Sequence, residues 1–327
     1  MPWKQNGRAW PFSALYPLSG ETYAKFNPEI VAENCPMTDL PYILKTETST
    51  SHVSWDWLRL GHTSGQRAAE IVAGLRAITF PSPEAKGLSS LMGRWFARFL
   101  SSITRDETIT KATGGRHLCI TRLAQEALAG ARQSKVIVEL AAGFSGRGLL
   151  LARSFPEAQV IEVDLPGVIE AKQNRVRRLV AGHVPANLHW LSADLGEVSL
   201  SKLLGKQTVD LVLAEGILPY FPHEQITQIA ASIYASLDWQ GVMIADLVSN
   251  RGWHKIEGQS RVAARLFKRQ VGRFRGGVED EGVARRLFEP AGFERINVYS
   301  LQELARTYLP ELIVADVSFL LVAHKDG

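Results

Sequence analysis

The sequence predicts a doubly wound α/β fold: a seven-stranded, mostly parallel Rossmann-like sheet with an N-terminal helical cap. Three observations point to it. From Lys135 onward, short aliphatic and β-branched runs alternate with amphipathic helical patterns. A turn of small residues, "AAGFSG", joins the first of these runs to its helix. The next three runs end in acids, Asp164, Asp194 and Glu215.

The elements follow in order. Residues 1 to about 130 lack the strand–helix rhythm, and Pro and Gly punctuate the first fifty. "SGQRAAEIVAGLRAITF" reads as a helix that Ser64 can cap, with Ala68, Ile71, Val72 and Leu75 at helical spacing. "LSSLMGRWFARFLSSI" and "HLCITRLAQEALAGA" read as two more. The strands are "KVIVEL", "QVIEVD", "NLHWLSAD", "TVDLVLAE" and "GVMIAD". Helices are expected at "GRGLLLARSF", "GVIEAKQNRVRRLVAG" and "HEQITQIAASIYASL". Two late strands, "FERINVYS" and "VADVSFLLVAHK", lack a full helical crossover between them, which suits an antiparallel final strand. The expected organisation is a helical cap and substrate lid over 1–130 and a ligand-binding sheet domain over 131–327, with a lid insertion at about 251–290.

Composition narrows the classes. The chain has 327 residues, 46% hydrophobic and 21% charged, an ordinary globular balance. Its two cysteines, Cys35 and Cys119, have no metal-like spacing, so neither a disulfide framework nor a metal site is expected. The N-terminus lacks a signal-peptide pattern, and no apolar run approaches the ~20 residues of a membrane span. A cytoplasmic protein with no membrane partner is the expectation. The net charge of +4 is uneven. From Arg251 to Gly277 eight Lys/Arg face one acid, Glu257. That is either a solvated helix face or a site for an anion. Arg261, Arg265 and Arg269 recur at spacing four on one helix face, suiting an acidic small molecule or a substrate on an acidic acyl carrier protein. Aromatic residues are too sparse there for a nucleic-acid stacking platform.

In such sheets ligands sit at the carboxyl ends of the strands. The first strand ends at Glu139, followed by Ala141, Ala142 and Gly143, small enough for a ligand to approach the backbone. Asp164 stands where a carboxylate holds ribose hydroxyls, or it caps the following helix. Asp194 can accept from an adenine amine. Glu215, followed at once by Gly216, needs a cation, and a ligand α-amino group would serve. Acids at three strand ends would repel a dinucleotide pyrophosphate. They suit S-adenosylmethionine, which has no phosphate.

"VIVELAAGFSGRG", "VIEVDLPGVIEAKQNRV" and "LAEGILPYF" resemble the signature motifs of the leucine carboxyl methyltransferase-like family of class I methyltransferases, which includes O-methyltransferases of polyketide biosynthesis. The resemblance covers about 110–327. It implies S-adenosylmethionine as cofactor, S-adenosylhomocysteine as product, and O-methylation of a small carboxylate or hydroxyl compound in secondary metabolism. Position by position it implies Gly143 under the methionine, Asp164 with Leu165 at the ribose, Asp194 and Leu195 around the adenine, and Glu215 on the amino group. It also implies an arginine on the cofactor carboxylate, Arg116 or its competitor Arg122. The turn departs from the family's G-A-G-x-D-T-R: Ala141, Ser145 and Gly146 replace Gly, Asp and Thr, while Arg147 is kept. That departure motivates a second reading, an enzyme that binds the cofactor without transferring methyl, such as a cyclase. A third is a binding module with no catalysis. His223, Tyr220 and His254 are the candidate catalytic groups: a hydroxyl nucleophile needs a base, a carboxylate does not. Oligomeric state is left open.

Overall fold

The computed structural model describes residues 64–103, 108–129 and 135–326. Expectations for positions before residue 64 lie outside the described residues. The described chain runs α1 (Ser64–Thr79), α2 (Pro83–Leu88), α3 (Leu91–Ile103), α4 (Thr108–Leu128), β1 (Val136–Leu140), α5 (Arg147–Ser154), β2 (Gln159–Asp164) and α6 (Pro166–Leu179). It continues through β3 (Leu188–Ser192), α7 (Leu200–Leu204), β4 (Val209–Ala214), α8 (His223–Ser236), β5 (Leu237–Val248), α9 (Asn250–Gln259) and α10 (Arg261–Val271). The last elements are α11 (Glu281–Arg286), β6 (Arg295–Ser300), α12 (Leu301–Tyr308) and β7 (Ser318–His324).

The seven strands form one sheet in the order β3-β2-β1-β4-β5-β7-β6. β1 pairs in parallel with β2 and β4, and β7 runs antiparallel between β5 and β6, as expected. The chain winds outward from β1 to β3, then returns to start again at β4. The β1/β4 boundary is therefore the switch point at which such sheets open a crevice. β1 and β4 are largely aliphatic and buried on both faces, as strands at the centre of a sheet covered by helices require, with Glu139 the charged exception in β1 and Asp210 in β4.

A second core lies outside the sheet. Ile71 and Leu75 of α1, Ala97 and Leu100 of α3, Ile256 of α9 and Phe267 of α10 are all buried in it. Gly74 and Gly93 let α1 and α3 cross in backbone contact: a Cβ on Gly74 would lie 2.1 Å from the Gly93 carbonyl oxygen.

Several boundaries differ from the sequence expectation. α4 begins at Thr108, nine residues before His117. "TITKATGG" has weak helix formers, but Ile109 and Ala112 are buried, and tertiary packing overrides propensity. The short α2 starts at Pro83, where the Ser82 side chain accepts from Ala85 N at 3.0 Å. β5 is 12 residues long rather than six: before a register irregularity Leu237 pairs with Val209 of β4, and at the other end Leu247 and Val248 pair with Phe319 and Ser318 of β7.

Candidate cofactor and acceptor site

A cavity of about 450 Å³ lies between the helical core and the carboxyl ends of β1, β2 and β4. The size falls within the ~300–1,000 Å³ typical of small-molecule sites. Its floor is the turn after β1. Ala141 and Gly143 both have φ near +50°, the left-handed region. The Gly143 amide donates to Asp164 Oδ2 at 2.6 Å, and Leu165 N donates to Asp164 Oδ1 at 2.7 Å. Asp164 thus ties the first turn to the second strand. Burial raises its pKa, and the two amide hydrogen bonds oppose the rise. Each oxygen keeps a further lone pair for a ligand.

The altered turn is well formed. Ser145 Oγ accepts from Arg147 N at 3.0 Å, a side-chain hydrogen bond that closes the turn just before α5. Arg147 is fully buried: its Nη1 donates to Glu139 Oε1 at 2.9 Å and its Nη2 pairs with Glu215 Oε2.

Glu215 is the hub of a charged cluster. Its Oε1 accepts from Arg76 Nη2 at 2.8 Å and Arg116 Nε at 3.4 Å, and its Oε2 lies 2.8 Å from His117 Nδ1. Arg116 Nη1 also donates to Asp246 Oδ2 at 2.9 Å, and Gly216 N donates to Asp246 Oδ1 at 2.6 Å. Three guanidinium groups thus face three carboxylates, those of Glu139, Glu215 and Asp246. Burial alone would push the Glu215 carboxyl up, yet Arg76, His117 and Arg147 hold it well below the usual carboxylate range. Burial, with Arg76 and Arg147 adding to it, lowers His117 to about 3, so its ring is neutral. The same Nδ1 also lies 2.7 Å from Arg147 Nη2, so it faces a guanidinium donor as well as the Glu215 carboxylate.

The other end of the cavity is apolar. Ile256, Phe267, Val271 and Phe274 wall it, with Trp253 against Phe274 edge-on at 5.1 Å. Tyr220 stands between the two ends. Burial pushes its hydroxyl up to about 12, so at neutral pH it is a donor and not a base.

The expected residues divide accordingly. Arg116, Ala141, Gly143, Asp164, Leu165, Asp194, Leu195, Glu215, Gly216 and Tyr220 all line the cavity. Glu139 does not; it lies beneath, held by Arg147. His223 and His254 are outside the lining. His223 begins α8 at the surface, with Nε2 bonded to the Gly277 carbonyl at 3.0 Å, and His254 is exposed beside Glu257 at 3.3 Å. Arg261, Arg265 and Arg269 are exposed, because α10 turns Ala263, Ala264 and Phe267 inward instead. They do not reach a ligand in the cavity. Arg76, His117 and Asp246 were not among the expected residues. Asp246 ends a strand run, "GVMIAD", just as Glu215 does, so the same reasoning one strand further finds it. Arg76 and His117 carry no such signal, since they come from helices with no fixed spacing to the sheet.

The sequence profile of the leucine carboxyl methyltransferase family matches residues 69–234, just over half of the chain. No curated protein sequence matches. Among solved structures, a Thermobifida fusca protein provisionally assigned as a methyltransferase superposes with a TM-score of 0.55 at 14% identity, covering 79% of this chain and 94% of that one. A Bordetella parapertussis protein described as a candidate exported protein gives a TM-score of 0.52 at 16% identity, covering 81% and 98%. At these identities the two structures show a shared fold.

Proposed function

Since the chain belongs to the leucine carboxyl methyltransferase family and is an S-adenosylmethionine-dependent methyltransferase, we propose that it methylates an oxygen of a small, largely apolar acceptor, with a carboxylate as the preferred nucleophile. One observation carries this reading. The cavity is charged at one end, where Arg76, Arg116 and Glu215 meet, and apolar at the other, where Phe267 and Phe274 stand.

The charged end fits the cofactor's amino acid part. Arg76 Nε is buried there without a hydrogen-bond partner, a donor waiting for an acceptor. A zwitterion adds no net charge to a cluster that is already balanced. Arg76 and Arg116 would hold its carboxylate, and Glu215 its ammonium. Asp164 would take the ribose, and Asp194, whose Oδ1 already accepts from Gly196 N at 2.9 Å, the adenine edge.

S-adenosylmethionine supplies an activated methyl group when bound. The chain's own residues align the nucleophile and exclude water. A carboxylate is ionised near neutral pH and needs no base, which fits a Tyr220 that stays protonated and can donate to the acceptor oxygen. In the altered turn Ser145 Oγ still accepts from Arg147 N, which supports ordinary methyl transfer over a non-transferring enzyme. Incubation with S-adenosylmethionine and a panel of apolar carboxylic acids and phenols tests the reading. A product heavier by one methyl, formed faster from the acids, is expected. Methylation of phenols alone would overturn the carboxylate preference, and no methylated product at all would overturn the reading.

A further inference from the structure

The outer faces of α3 and α10 carry five of the seven large hydrophobic residues exposed among the described residues: Leu91, Met92, Trp95 and Phe99 on α3 and Val262 on α10. On α3, Leu91 is 78% exposed, Trp95 60% and Phe99 42%, and the Trp95 and Phe99 rings stack at 5.9 Å. Their spacing of four places them in one stripe along the helix. The same helix exposes Arg98 and carries no acidic residue. α10 touches α3, and both helices bury their inner faces in the same core. Its outer face presents Val262, 66% exposed, among Arg261, Arg265 and Arg269, and it too has no acid. Two adjacent helices therefore pair large protruding apolar side chains with an unopposed row of arginines.

We propose that this face adsorbs to an anionic lipid surface. Such binding combines Trp, Phe and Leu inserted at the headgroup boundary with basic side chains on the anionic layer. Exposed large apolar side chains beside basic residues, with no acid on either helix, match an anionic lipid layer in both polarity and charge. Continuity supports the choice. Phe267 and Val271, on the inner face of α10, wall the apolar end of the cavity. A lipophilic acid dissolved in the same layer would thus reach the enzyme beside its acceptor end. That acceptor class rests on the proposed methyl transfer; the docking surface does not. No described helix is long and apolar enough to span a membrane, and adsorption requires none. The expectation of no membrane partner rests on apolar run length, which bears on spanning alone.

Co-sedimentation of the full chain with phosphatidylglycerol and phosphatidylcholine vesicles tests the proposal. Binding to the anionic vesicles, weakened by salt, is expected. Arg265→Gln with Arg269→Gln should lower it about twenty-five-fold, at about fivefold for each basic side chain lost near the surface. Trp95→Ser should also lower it, while both variants keep wild-type affinity for S-adenosylhomocysteine, which shows that they fold. Absence of binding to anionic vesicles, or binding unchanged in both variants, would overturn the proposal. So would a dimer in light scattering that Trp95→Ser dissociates without any vesicle binding, or binding to polyglutamate in place of vesicles. Failure of methyl transfer with vesicle binding intact would leave this surface standing and remove only the proposed acceptor.

Discussion

Ala141 holds a backbone conformation that glycine tolerates better, with φ at 50°. An L-residue there costs about 1 kcal/mol, so Ala141→Gly should leave stability unchanged or raise it by up to about that amount in chemical denaturation. Gly148 is the opposite case. A Cβ on it would lie 2.2 Å from Glu162 Oε1, and Glu162 is fixed by Lys172 Nζ at 2.6 Å and Trp190 Nε1 at 2.7 Å. Gly148→Ala should therefore destabilise by about 1–3 kcal/mol, and a variant as stable as wild type would show that this buried pair can shift. Glu162 and Lys172 are the first and last residues of the "EVDLPGVIEAK" motif. The motif was legible as a string, but that its two ends meet under the turn as a buried ion pair depends on β2 and α6 packing together. Asp164 and Glu215 were legible for a simpler reason: a polar residue closing an apolar strand sits at the rim by geometry alone.

Among the elements, α1 joins the cap to the sheet. Its Ala69 approaches the Gly143 turn, its Arg76 reaches Glu215, and its Glu70 pairs with Arg175 of α6, whose guanidinium also lies 3.9 Å from the Phe144 ring centre. Glu215→Gln would leave Arg76, Arg116 and Arg147 with an uncharged partner. Breaking a buried pair of this kind costs about 3–5 kcal/mol, so urea denaturation should show a loss of that order in unfolding free energy; a loss of less than about 1 kcal/mol would mean that the other carboxylates compensate. The strand and helix order was readable from alternating patterns because each βα unit buries its own face. The roles of α1 and α4 were not, since their contacts to strand ends are long-range and leave no periodic trace. The basic face of α10 illustrates the limit: spacing four put three arginines on one side, but only packing decides that this side faces out.

For the molecule as a whole, His117 sets a pH dependence. It is neutral when folded, with its pKa lowered to about 3, and titrates near 6.5 when unfolded. Between those values the unfolded chain binds the extra proton, so this group's contribution to stability is full above about 6.5 and is lost as pH falls toward 3. Subtracting the pH profile of His117→Asn from that of wild type isolates this contribution from other groups such as Glu162, whose carboxyl burial pushes up against the pull of Lys172, a shift that acts in the opposite sense. The difference should slope upward with pH through that window; a flat difference would place His117 outside the buried cluster. The central claim is that the cavity at the ends of β1, β2 and β4 holds the methyl donor. Calorimetric titration of the full chain with S-adenosylhomocysteine tests it most directly, run beside Asp194→Ala and Arg76→Ala. One site per chain, weakened about fivefold or more in each variant at about 1–3 kcal/mol per lost hydrogen-bonded group, is the predicted result. No binding by the wild-type chain, or wild-type affinity in both variants, would contradict it.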